Sequence, residues 1–82
     1  MTFIVYILFS QKRSKYYVGQ TSNIDKRYKR HNIGNVPSTK SGVPWILVTS
    51  IDVENRSEAM KLKKKIKKRG IKRFLEDNQF GV

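Results

Sequence analysis

Four residues whose types can cooperate on a phosphodiester fall in the first part of the chain: Tyr6, Tyr17, Arg27 and His31. A phenol beside a cation can be held toward its phenolate and accept a proton from water. A guanidinium grips a phosphate through paired N–H donors. An imidazole moves protons near neutral pH, or holds a neighbouring hydroxyl in place. Phosphodiester hydrolysis ordinarily also uses a divalent ion, held by a carboxylate, to balance charge on the leaving oxygen. Each residue alone has a plainer use, since a strand Tyr is often core with its hydroxyl at the rim. The spacing of the four together is what calls for elements that would converge them.

Those elements are legible in the pattern. Residues 3–9 are a strand, with Phe3, Val5, Ile7 and Phe9 pointing one way and Ile4, Tyr6 and Leu8 the other. Both faces are apolar, which predicts a central strand covered on both sides. Ser10–Ser14 is a polar turn and Lys15–Gly19 a second strand, so the pair reads as a hairpin. If Tyr6 opposes Tyr17, the loop between them holds an even number of residues, because a one-residue slip sends the phenols to opposite faces. Gly19 is expected to turn the backbone closely, with Ser22 or Asn23 capping the next helix and Asp25 suiting its first turn. That helix spans Asn23 to about Asn32. At 100° per residue Ile24, Arg27, Tyr28 and His31 share its inward stripe, while Lys26, Lys29 and Arg30 face out.

Residues 33–42 form a loop rich in Gly, Ser and Asn, and Pro44–Ile51 is a third strand in which Trp45, Leu47 and Thr49 alternate with Ile46, Val48 and Ser50. Trp45 has apolar neighbours and reads as a core cover. Ser57 is the expected cap of a long helix running to about Lys68, with Ala59, Leu62 and Ile66 inward and Lys63 at the margin of that stripe. Gly70 ends it. A short helix over Ile71–Asp77 follows, then a tail at Asn78–Val82.

The 82 residues make one domain, too small to bury more than roughly 60–65% of its unfolded surface. Its core is therefore one sheet covered by helices. Eighteen Lys and Arg against six Asp and Glu give a net charge of +12, which points to a polyanion, nucleic acid before membrane. The apolar N-terminus lacks a basic lead and a cleavage site, and no run reaches membrane-spanning length. The absence of Cys fits a reducing, cytoplasmic setting and rules out a disulfide framework.

Val5-Tyr6-Ile7 followed by Tyr17-Val18-Gly19, then Arg27 and His31, resembles the GIY-YIG nuclease domain. The resemblance covers nearly the whole chain, including Ser38-Thr39-Lys40, Pro44–Val48 and Ser57-Glu58-Ala59, and is greatest to the small single-domain bacterial members. It implies an α+β fold, a three-stranded antiparallel sheet flanked by helices, and activity as a DNA endonuclease of the kind found in homing, restriction and excision-repair enzymes. By position, Tyr17 resembles the general base, assisted by Tyr6; Arg27 the phosphate clamp; and His31 a support for the base. Gln20 stands where some members have Lys. Gln20, Lys26, Arg30, Lys40 and Lys67 are the expected nucleic-acid contacts, and Mg²⁺ or Mn²⁺ the expected cofactor of an active member.

One departure is large. The family pattern places a metal-binding Glu four residues after Ala59, and this sequence has Lys63 there. Glu58 lies five positions away, about 140° around the helix, and Glu54 precedes it. Three readings of Lys63 stay open: a member that binds without cutting, a substitution in an otherwise active enzyme, or an ammonium standing in for the metal. Three functions correspond: an endonuclease weakened by Lys63, a silent nucleic-acid-binding module, or a basic structural protein.

Overall fold

The strand with apolar side chains on both faces lies in the middle of the sheet. In the computed structural model, which describes residues 2–78, β1 (Phe3–Ser10) is flanked on either side by β2 (Lys15–Thr21) and β3 (Trp45–Val53), both antiparallel to it. Its side chains alternate: Val5 and Ile7 join a core under α2 (Arg56–Arg69) and α3 (Ile71–Asp77), made with Val18, Ala59, Ile66, Phe74 and Leu75. Tyr6 and Leu8 join a second core with Trp45 under α1 (Ile24–Asn32), where Ile24 and Tyr28 pack. The three-stranded α+β architecture is thus as expected, and its two faces carry different chemistry.

The hairpin register differs from the simplest expectation. Tyr6 lies opposite Gly19, and Tyr17 opposite Leu8. Four turn residues separate Ser10 from Lys15, an even number, so the two phenols are diagonal neighbours on one face. Nor does β2 stop at Gly19. Gln20 and Thr21 still pair with Val5 and Ile4, so Gly19 lies inside the strand and makes no turn.

Asn23, of the two candidates, caps α1, its side chain accepting from Lys26 N–H at 3.1 Å. The long helix begins earlier than Ser57. Asn55 caps it, accepting from Glu58 N–H at 2.9 Å. Asn is as good a cap as Ser, and Asn55 comes first after the strand. In β3 the strict alternation breaks: Ile7 pairs with Thr49 but Leu8 with Leu47, so Val48 is bulged. The bulge lets Val48, Ile51 and Val53 all reach the α2 side.

Gly70, at φ +97, ends α2 and opens α3, a backbone that side chains rarely adopt. Arg69 then bonds both carboxylate oxygens of Asp77, at 2.7 and 3.0 Å, across the two helices. Of the expected tail only Asn78 is described; residues 79–82 lie outside the described residues. No helix among the described residues is long and apolar enough to cross a membrane.

Candidate active site

The site grows from one hydrogen-bonded line. Tyr6 and His31, both fully buried, meet at 2.9 Å between Oη and Nε2. On the other side of the ring, His31 Nδ1 meets Thr39 Oγ1 at 2.7 Å. The Thr39 hydroxyl gives its single proton to the Val36 carbonyl at 3.3 Å, so toward His31 it accepts. His31 therefore carries its proton on Nδ1. Burial, then the charges of Arg27 and Arg30, hold its pKa below the ordinary imidazole value, which keeps the ring neutral. Nε2 is then an acceptor, and Tyr6 donates to it. Burial first, then Tyr17, push the Tyr6 phenol above its usual range, with Arg27 opposing. Tyr6 is thus a neutral, buried donor.

This assignment has a direct readout. In ¹H–¹⁵N spectra His31 is expected to show Nδ1 protonated and Nε2 bare. Thr39→Ser should keep that state, and Thr39→Val should lose it. A wild-type ring protonated on Nε2 would sink the assignment.

Tyr17, half-buried, faces this line. Its ring lies 6.3 Å from Tyr6, 5.2 Å from His31 and 6.2 Å from Trp45, between centroids. Trp45 is a wall of the site, as expected of a core cover. It is held by its indole N–H on the Thr39 carbonyl at 2.7 Å, by Asn32, which accepts from its N–H at 2.6 Å and donates to its carbonyl at 3.1 Å, and by the Tyr28 hydroxyl on the same carbonyl. Gly19 keeps space for Tyr6, because a Cβ there would collide with the phenol Oη and Cζ.

Arg27 is half-buried on the inner side of α1, and its charge acts on both Tyr6 and His31. With Thr21, Ser22, Asn23, Lys26 and Arg30 it lines a polar cleft of about 330 Å³ at the start of α1. Three cations, Lys26, Arg27 and Arg30, share that cleft, which suits it to an anion. Tyr6, Tyr17, Arg27 and His31 are thus brought to one face of the sheet, with Lys26 and Arg30 beside them.

The other expected contacts are dispersed. Lys40 is exposed at the start of a short 3₁₀ helix, Lys40–Gly42, before β3. Gln20 follows Tyr16 and Val18 in the strand alternation, toward the α2 side, with its Oε1 buried and without a hydrogen-bond partner. Lys67 is exposed on α2, across the sheet from α1. Lys63 is half-buried on the same helix, and burial, then Lys67, push its pKa down. Thr39 and Asn32 were not visible as site residues in the sequence. Thr39 stands out only as part of Ser38-Thr39-Lys40, and Asn32 not at all, because the partners that give them a role lie in other elements.

The residues present do not fit a divalent ion. Among the described residues no three of His, Cys, Asp and Glu gather into a metal-holding group. Both nitrogens of His31 are engaged, Glu58 is exposed and paired with Lys61 at 3.4 Å, and Lys63 offers no oxygen.

A phenol pair backed by a neutral imidazole, beside a cationic cleft, on a three-stranded sheet, is the layout that the resemblance to the GIY-YIG nuclease domain implies. The family model of the GIY-YIG catalytic domain matches residues 2–74, and the chain belongs to that family. The solution NMR structure of the UPF0213 protein BH0048 from Bacillus halodurans is similar, with TM-score 0.61 and 28% identity over 99% of this chain and 88% of that one. No curated protein matches the chain significantly.

Proposed function

We propose that this domain grips DNA in the α1 cleft, sets a phosphodiester against Arg27 and Tyr17, and holds it there without cutting it. The carrying observation is the convergence of phenol, imidazole and guanidinium on one face with no metal-holding group of carboxylates or imidazoles among the described residues; by the family resemblance, the Glu that would supply one falls at Lys63. Arg27 is the phosphate clamp, Lys26 and Arg30 extend its field, and Tyr17 is the phenol placed to take a proton from water. Tyr6 and His31 position Tyr17 and never meet substrate. Without an oxygen ligand no divalent ion is held at the leaving oxygen, and on this reading the backbone stays intact.

The test uses supercoiled and branched DNA with Mg²⁺, Mn²⁺ or EDTA. The chain is expected to shift DNA in a gel in all three and to nick it in none. Lys63→Glu should nick only with metal, and adding Arg27→Ala to it should abolish nicking. Metal-dependent nicking by the unaltered chain would overturn the silent reading, and nicking that survives Arg27→Ala would remove Arg27 from the site.

A further inference from the structure

Resting on the reading that the α1 face grips DNA, we infer that the solvent face of α2 is a second duplex-binding surface, so that one domain bridges two DNA segments. α2 holds eight Lys or Arg, at 56, 61, 63, 64, 65, 67, 68 and 69, against one acid, Glu58. Its inner side is committed, with Ala59 and Ile66 fully buried and Leu62 packed on the same core. Lys61, Lys64, Lys65 and Lys68 are all exposed, and at 100° per residue they fall within an arc of about 100° directly opposite.

The stripe is single-signed. Pairs 61/64, 61/65, 64/68 and 65/68 place like charges three or four apart, which weakens an isolated helix. Glu58 relieves only Lys61, through an exposed contact at 3.4 Å. A helix face needed only for solubility intersperses the two signs. A polyanion would supply what this face lacks. From Lys61 to Lys68 the helix rises roughly 10 Å, about three phosphates along one strand at ~3.4 Å each. Lys is a flexible point charge without a planar fork, so the stripe suits phosphate rather than base edges. An anionic lipid surface fits less well, because the apolar side of α2 is buried in the core and cannot insert.

The two surfaces cannot share one straight duplex. α1 and α2 cover opposite faces of the sheet, and the molecule is 19 Å across its thinnest direction. A second duplex is required to satisfy both.

The experiment captures a fluorescent duplex on beads that carry a different, immobilised duplex, with the full chain as the only bridge. Wild type should retain the second duplex in a salt-sensitive way. The variant K61E/K64E/K68E, checked for fold by circular dichroism, should still bind one duplex and lose second-duplex capture by more than tenfold. Light scattering without DNA should find a monomer. Capture unchanged in the triple variant, or capture by a dimer that the variant leaves intact, would overturn the proposal. So would binding of this face to phosphatidylserine vesicles with no bridging. Failure of the α1 reading is seen separately: Arg27→Ala would then leave single-duplex binding untouched, while the triple variant abolished it.

Discussion

Gly19→Ala is expected to destabilise the domain by about 2–3 kcal/mol, the upper part of the range for overpacking a closed core. Inside a regular strand a Gly-to-Ala change ordinarily helps, because it restricts the unfolded chain. The backbone at Gly19 has no left-handed angle to protect. The sign is set by space: the new methyl group would run into Oη and Cζ of Tyr6 and sit 3.0 Å from Tyr17 Cε2. Tyr6 is 1% exposed and bonded to His31, so it cannot step aside without leaving that partner unpaired. Urea unfolding midpoints of the two proteins measure the cost. A variant as stable as the parent would show that the phenol does not occupy the space above Gly19. The same logic applies at Gly42, where a Cβ would strike the Trp45 ring and come within 3.0 Å of Ser10 Oγ.

Stability should fall as pH drops from 7 to 5, at a slope approaching ~1.4 kcal/mol per pH unit below the unfolded pKa of His31. The sign follows from the depressed folded pKa: the unfolded chain takes a proton that the native ring refuses, so acid favours unfolding. The contribution is whole above about 6.5 and is lost as pH falls toward the folded pKa. His31 is the single histidine, so little else titrates in this window. Its protonation would also put a donor on Nε2, facing the Tyr6 hydroxyl that now donates to it. The line from Val36 to Tyr6 would then have a proton too many. Urea midpoints at pH 7, 6 and 5 read the slope, and a flat profile would mean that His31 is charged or exposed in the fold.

The sequence carried much of this outline because its strongest signals are periodic. Two apolar faces on one strand put β1 in the centre, and a 3.6-residue stripe put Arg27 and His31 inward on α1. Position-specific features were less legible. The bulge at Val48 leaves no mark in an apolar run, and Asn55 competed with Ser57 as a cap. Gly19 was expected to bend the chain, whereas its use is to admit a ring from the neighbouring strand. The buried Thr39 link escaped notice because a loop threonine acquires meaning only when a distant helix brings it an imidazole. Likewise, Lys67 and Lys26 look alike as sequence, and only the topology assigns them to opposite sides of the sheet.

The bulge in β3 also interrupts an edge that another strand could otherwise extend. β3 is an outer strand of a small sheet, with Ile46 and Leu47 partly open to water. A flat rim of that kind is a template for amyloid-like growth. The extra residue at Val48 kinks the rim just past those two side chains, so an incoming strand meets a broken ladder rather than a continuous one.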